Sequence, residues 1–266
     1  MKKITAAFLA ALMLLFVFAS CGQNSDQKVV TVGYTLYEPM NYLDDNNELI
    51  GFDTELAKAV FEGLGYQVVF KEIEWSNKYT DLAAKNVDCL WNGFTANCAD
   101  DDGVQRSEKV DFSYNYMINQ QAVVVKADIA SEVTGADYFK DKIGYAEAGS
   151  AGASYADSAF EGAKIMDAIK QTEALMEVKS GSATFAVVDV LLAKSMVGTG
   201  DYADLAIVDS LTSDPEYYAI GFEKGSDLTA QVNAQLEKLA ADGTIKKLAE
   251  KYGLENAAIL DYADQK

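Results

Sequence analysis

The 266-residue chain has no histidine, two prolines, three cysteines and a single arginine. Without imidazole, a Ser-His-Asp triad, a histidine base and a histidine-bound metal are all excluded. Cys21, Cys89 and Cys98 are too few for a four-cysteine zinc site or a disulfide scaffold. No Gly-x-x-x-x-Gly-Lys-Ser/Thr run occurs, so the chain is not itself a phosphate-loop ATPase. Positive charge is scarce: 22 Lys+Arg face 41 Asp+Glu, a formal net charge of −19. Such a surface repels phosphate backbones, which argues against a nucleic-acid partner. What is present is a globular composition, 50% hydrophobic and 11% aromatic, with enough apolar mass for one large core or two smaller ones.

The scarcity of arginine is informative. Of the 22 basic residues, 21 are lysine and the other is Arg106. A guanidinium offers a rigid fork of donors suited to a carboxylate, a geometry that lysine cannot copy.

The N-terminus reads as an address. Lys2 and Lys3 precede a nearly all-apolar run over residues 4–19, which ends in Phe18-Ala19-Ser20-Cys21-Gly22. The run is shorter than the ~20 residues that span a bilayer. Small residues before a cysteine resemble a bacterial lipoprotein signal, with Phe18 where leucine is usual. The expectation is a signal peptide over residues 1–20, lipid attachment at Cys21 and a polar tether over residues 21–27. Outside the cytosol Cys89 and Cys98 could pair; the alternative is two small, partly buried thiols.

Periodicity gives two α/β series. The first has strands at 29–34, 66–73 and 87–91 and helices at 54–64 and 75–85, followed by a loop at 92–105. The second has strands at 121–126, 142–146, 164–168 and 183–188, the last ending in Asp189. Helices are expected at 153–160, 171–181 and from 190. Strands at 206–209 and 217–222 and helices at 227–242 and 243–252 complete the pattern. Two such series imply two lobes, and ligands of open α/β sheets sit beyond the carboxyl ends of strands. The acidic run Asp100-Asp101-Asp102 lacks the spacing of a calcium loop and reads as a solvated turn; no metal site and no cofactor are expected.

An ordered set of segments then resembles a known family. It comprises Tyr37-Glu38-Pro39-Met40-Asn41-Tyr42, Gly51-Phe52-Asp53-Thr54-Glu55-Leu56-Ala57, Lys85-Asn86-Val87-Asp88, Gly93-Phe94-Thr95 and Arg106-Ser107-Glu108-Lys109. Further along come Ala148-Gly149-Ser150, Ala186-Val187-Val188-Asp189, Gly221-Phe222-Glu223-Lys224-Gly225-Ser226, Asp242-Gly243-Thr244 and Lys251-Tyr252-Gly253. Across residues 29–255 the chain is similar to the amino-acid-binding proteins of ABC importers, solute-binding protein family 3. The spacing between Gly93 and Arg106 is longer than that family's pattern, which makes residues 98–103 an extra acidic loop.

The resemblance implies a two-lobed periplasmic-binding-protein-like fold. Each lobe is then a mostly parallel sheet flanked by helices. Lobe 1 would be residues 28–119 plus 217–266 and lobe 2 residues 122–212, with hinge strands near 118–122 and 213–218. It implies that Arg106, Thr95 and the amide of Ser150 hold a ligand carboxylate, and that Asp189 and the Gly93 carbonyl hold its ammonium. Tyr37 and Trp75 would flank the ligand side chain, with Glu147 and Lys78 near its tip. The expected ligand is a polar uncharged or zwitterionic-tipped amino acid such as glutamine or cystine; Glu147 would argue for a cation and Lys78 for the reverse. The implied function is an extracytoplasmic lipoprotein, monomeric and held at the membrane surface. It would close its lobes on an amino acid and pass it to an ABC permease with its ATPase. The alternative on the same fold is an enzyme resembling the exported cyclohexadienyl dehydratases, which act on arogenate or prephenate. A signalling sensor domain is a third.

Overall fold

A computed structural model describes residues 28–265. The expected signal peptide, the lipid site expected at Cys21 and the expected tether fall outside the described residues.

The chain opens with β1 (Lys28–Tyr34), the short hairpin β2 (Tyr42–Leu43) and β3 (Leu49–Ile50), and helix α1 (Phe52–Gly63). Helix α1 buries Leu56, Ala57, Val60 and Phe61 on one stripe and carries Asp53 and Glu55 in its first turn, where the helix dipole favours acids. It enters through Gly51 at φ 119, where a Cβ would strike the Met40 carbonyl at 2.2 Å, so only glycine fits. Next come β4 (Tyr66–Glu72), a 3-10 turn at Trp75–Asn77, α2 (Lys78–Ala83), β5 (Cys89–Leu90), α3 (Arg106–Lys109) and β6 (Asp111–Phe112). The expected helix over 75–85 is thus a tight turn plus a short helix, with Lys85 in the left-handed region closing it.

Strand β7 (Met117–Asn119) leads directly into β8 (Gln121–Lys126), the first strand of a second sheet. That sheet adds β9 (Ile143–Glu147), α4 (Ala151–Ala159), β10 (Lys164–Ala168), α5 (Gln171–Ser180), β11 (Phe185–Asp189), α6 (Val190–Met196) and β12 (Leu205–Thr212). The return passes through β13 (Glu216–Tyr218) and β14 (Gly221–Phe222), and the chain ends with α7 (Asp227–Ala241) and α8 (Thr244–Lys251). The single strand expected over 217–222 is split, because β13 pairs with β7 while β14 joins the first sheet.

The two five-stranded sheets have orders β4-β1-β5-β14-β6 and β10-β9-β11-β8-β12. In each, the strands linked by crossover helices are parallel: β1 with β4 and β5, and β9 with β10 and β11. The strands that enter from the other lobe, β14 and β8, pair antiparallel with both their neighbours. A strand arriving without a crossover helix is free to take that direction, so each sheet is mixed rather than mostly parallel. The crossing strands β7 and β13 pair with each other, Glu216 opposite Asn119 and Tyr218 opposite Met117. Two lobes joined by two crossing strands are therefore the architecture of this chain.

Cys89 lies in the core strand β5 and Cys98 in the loop beyond it, and both are free thiols. Among the described residues no helix is long and apolar enough to cross a membrane.

The second lobe's core is built on an aromatic cluster in which Phe185 packs on Phe139 at 4.3 Å and Phe160 at 5.2 Å between ring centroids. The face of this ring lies over Gly144, where an added Cβ would sit 2.3 Å from a ring carbon. Since Phe185 is fully buried, the ring has no room to withdraw. Gly144→Ala should therefore cost ~1–3 kcal/mol, read as a lower urea midpoint at unchanged slope. An unshifted midpoint would show that the cluster yields more easily than its packing implies.

Candidate functional site

Ten residues border a narrow cavity between the lobes. Trp75, Asn92, Gly93, Thr95 and Arg106 come from the first lobe; Glu147, Ser150, Ala151, Gln171 and Asp189 come from the second. The second-lobe set follows from the topology: Glu147 and Asp189 end the parallel strands β9 and β11, and Ser150 and Gln171 begin the helices beside them. The open space between them is ≈ 10 Å³, room for about one water. A wider open groove of ≈ 810 Å³ lies alongside and shares Ala151; Asp100, Asp101, Asp157, Asp214 and Glu216 border it.

Arg106 sits at the start of α3 and is 1% exposed. Its Nε donates to Asp100 Oδ1 at 2.8 Å, one Nη to the Thr95 carbonyl at 3.2 Å and the other to the Gly149 carbonyl of the second lobe at 3.1 Å. The Phe94 ring lies 5.3 Å from the guanidinium. The reading of 100–102 as a solvated turn fails at Asp100. Its carboxylate also accepts from Tyr79 OH at 2.6 Å and Lys109 Nζ at 2.9 Å, so three donors draw it inward. Asp101 and Asp102 remain exposed.

Lys78 is buried, and its Nζ donates to the same Gly149 carbonyl at 2.9 Å. Trp75 borders the cavity and packs edge-on against Phe94. Thr95 and Ser150 are both at the cavity, but the Ser150 amide donates to the Glu147 carbonyl at 3.1 Å and the Ser150 Oγ caps α4 by accepting from the Ala153 amide. Tyr37 is not among the bordering residues. Its hydroxyl bonds Tyr218 OH at 2.8 Å and its ring backs Gly93, where a Cβ would come within 2.7 Å of it. Gly93, at φ +58, has its amide fixed by Asp53 Oδ2 at 3.0 Å. Asp189 accepts from Asn119, Gln121 and Gln171 amide nitrogens at 2.7, 2.6 and 2.5 Å. Glu147 is 4% exposed, and no described side chain hydrogen-bonds its carboxylate.

Residues 30–255 match the model of the bacterial extracellular solute-binding proteins, family 3. The chain belongs to this family. It is 26% identical to the arginine-binding extracellular protein ArtP of Bacillus subtilis over 95% of this chain and 98% of that protein. It is 29% identical to the L-cystine-binding protein TcyA of the same organism, over 95% and 97%. Among solved structures it resembles an ancestral arginine-binding protein bound to arginine, at 30% identity and TM-score 0.76, over 84% of this chain and 97% of that one.

Residues that sequence reasoning missed in this family-3 chain are Asn92, Gln171, Asn119, Gln121, Glu216 and the inward turn of Asp100. Asn119 and Glu216 lie on the crossing strands and Gln121 at the start of β8, each in a polar stretch that carries no local signal of burial. Burial dominates the electrostatics. It pushes the Glu147 carboxyl up to about 8, helped by the Asp189 charge and opposed by Lys78 and Lys170. It raises Asp53 to about 7 against bonds from Tyr116 and the Gly93 amide. Burial and the Asp189 charge raise Glu216 to about 7, and burial raises Asp189 as well. Burial and the Arg106 charge lower Lys78 to about 8. Burial would raise Asp100 too, but Tyr79, Lys109, Arg106 and Lys78 hold it down at about 2.

These shifts fix the sign of a stability profile. A carboxyl raised on folding binds its proton more tightly in the folded state, so stability falls as pH rises through the window between its unfolded and folded values. Asp53, Glu147 and Glu216 all have that window between about 4 and 8. Asp100 acts oppositely but only at lower pH. The melting temperature of the protein alone should therefore rise by several degrees from about pH 8 to about pH 5, as followed by circular dichroism. A flat or falling profile would contradict the buried carboxyls.

Proposed function

We propose that this chain is an extracytoplasmic receptor that captures a free amino acid with a cationic tip and delivers it to an ABC permease and its ATPase. Lipid on Cys21 would hold it to the outer face of the cell membrane. The observation that carries the reading is a guanidinium and a carboxylate, Arg106 and Asp189, on opposite lobes bordering one cavity. An amino acid offers the complementary pair at fixed spacing.

The cavity is too narrow for an amino acid, so the lobes must part to admit one. In the cleft, Arg106 and Lys78 both donate to the Gly149 carbonyl across the gap. On capture the ligand carboxylate takes those donors, a stronger acceptor than a neutral carbonyl. Its ammonium faces Asp189, and its side chain lies along Trp75 toward Glu147. A ligand that touches both lobes stabilises only their closed arrangement and shifts the population toward it.

The tip follows from which charges are already matched. Lys78 is held by Gly149 and lies 4.0 Å from Asp100, whereas Glu147 is buried with no hydrogen-bonding side chain. A buried carboxyl that burial holds at about 8 gains charge, and an ion pair, when a cation comes beside it. This moves the reading from an uncharged tip toward arginine, lysine or ornithine. A second reading stays alive for one reason: a Glu147 carboxyl held protonated near neutral pH is the kind of proton donor a dehydratase needs. Aromatic product from prephenate or arogenate would establish it.

A thermal-shift screen against the amino acids, ornithine and cystine tests the receptor reading. A ligand at about 100 times its dissociation constant should add ~2.7 kcal/mol, with basic amino acids giving the largest shifts. Arg106→Ala should cost ~3–5 kcal/mol of binding, more than about a hundredfold in affinity. A loss under about fivefold would remove Arg106 from the carboxylate site.

Anchoring has its own test. Cys21→Ser should move the protein from the membrane fraction of its host to the soluble or unprocessed pool. Mature-length protein that still fractionates with membranes would defeat the lipoprotein assignment.

A further inference from the structure

Four buried polar side chains meet where the chain crosses between lobes: Asn119 ending β7, Gln121 opening β8, Glu216 opening β13 and Asp189 ending β11. None is more than 8% exposed. Each amide nitrogen donates to both carboxylates. Asn119 Nδ2 lies 2.7 Å from Asp189 Oδ1 and 2.5 Å from Glu216 Oε1. Gln121 Nε2 lies 2.6 Å and 2.7 Å from the same two oxygens. Two shared donors fix Oδ1 and Oε1 as neighbours. Neutral amides ease the burial of one negative charge but bring no positive charge of their own. Two carboxylates so placed do not both stay ionised unless a cation joins them.

We propose, resting on the reading that Asp189 receives the ligand ammonium, that Glu216 shares one proton with Asp189 and that the ammonium takes this proton's place. Capture then releases a proton to solvent: the O–H bond on the pair breaks, and the ammonium supplies the positive charge the proton leaves behind. Glu216 is a positioning residue, acting through Asp189.

The surroundings support this accounting. From β9, Glu147 is a further carboxyl beside the pair, itself raised to about 8 by burial and the Asp189 charge, so it brings no cation. The Tyr37 and Tyr218 phenols beside the pair are pushed well above their ordinary range and stay neutral. The Cys98 thiol, raised to about 11 chiefly by burial, is neutral as well. The nearby cations are occupied elsewhere: Arg106 with Asp100 and Gly149, Lys78 with Gly149, and Lys170 with Glu72. With Glu216 raised to about 7, the pair holds its proton at lower pH and loses it above. The pair acts as one titrating unit. Ligand affinity should rise by up to about tenfold per pH unit below about pH 7 and level off above it.

Two measurements on the purified protein and on Glu216→Gln test this. The first needs no ligand: carboxyl carbon NMR with labelled aspartate and glutamate. The expected result is one carboxyl of the pair titrating near neutrality, and a lower Asp189 midpoint in Glu216→Gln. If both carboxyls titrate below about pH 5, within the ordinary carboxyl range, the shared proton is overturned. The second is calorimetry with L-arginine in phosphate and bis-Tris at about pH 6 and in phosphate and Tris at about pH 8. Wild type should release close to one proton more than Glu216→Gln at the lower pH, and the variant's affinity should vary less with pH. The difference between the two proteins separates this proton from any released by Glu147. Equal proton release in both overturns the proposal even though arginine binds. If neither L-arginine nor L-glutamine binds, the receptor reading and the role of the ammonium fall together, while the NMR titration still decides the shared proton.

Discussion

The cleft is organised by one buried guanidinium. At 1% exposure, Arg106 must meet an acceptor in every direction its donors point. Asp100 meets Nε, the Thr95 carbonyl one Nη and the Gly149 carbonyl the other. The first explains the extra residues between Gly93 and Arg106. The Asp100 amide bonds the Val104 carbonyl and the Gly103 amide returns to the Asp100 carbonyl, so the loop folds back and sets Asp100 on the arginine. The second and third join the Gly-x-Thr turn of one lobe to the small-residue loop of the other. Removing the anion would leave a buried charge on the edge of the cleft, so the loop and the site stand or fall together.

Contacts between the lobes fall into two kinds. Lys170–Glu72, Ser154–Asp101 and Ser195–Glu38 bridge them where at least one partner is solvent-exposed or half-exposed. Exposed pairs of this sort contribute ~0–1 kcal/mol each. The crossing strands pair over only three residues. One buried apolar cluster runs through both lobes, and the contacts of Arg106 and Lys78 on the Gly149 carbonyl add a polar link across the cleft. Those are the contacts a carboxylate would compete for, and this couples ligand capture to lobe position.

Element types were legible because their periods are strong: the strands 121–126 and 164–168 match to the residue, and the helices at 227–242 and 243–252 to within a residue at either end. Arg106, Asp189, Trp75, Thr95, Gly93, Ser150 and Glu147 border one cavity. Strand direction was not legible, since the antiparallel entry of β8 and β14 depends on the chain's passage between lobes and leaves no local pattern. Asp100 was misread because three consecutive acids look solvated, and only the position of Tyr79, Lys109 and Arg106 in space turns one of them inward. Tyr37 does not border the narrow cavity for the converse reason: an aromatic beside a motif glycine packs behind it as readily as in front of it.

Charge also separates the two ends of the ligand. Around the carboxylate end, Arg106 and Lys78 are balanced in part by Asp100, which holds its proton loosely and stays ionised. At the other end Asp189, Glu216 and Glu147 are buried together, and the donors to the first two, amides and the Tyr218 and Thr95 hydroxyls, are neutral. All three are raised, chiefly by burial, which a cation brought beside them would oppose. A zwitterion supplies one cation, to the Asp189–Glu216 pair, and leaves Glu147 to keep a proton. A ligand with a second cation at its tip supplies both, and gains the interaction that the protonated Glu147 lacks. On the proposed reading, the same three carboxyls would set two properties at once: preference for a basic tip, and weaker capture as protons become abundant enough to compete for their sites.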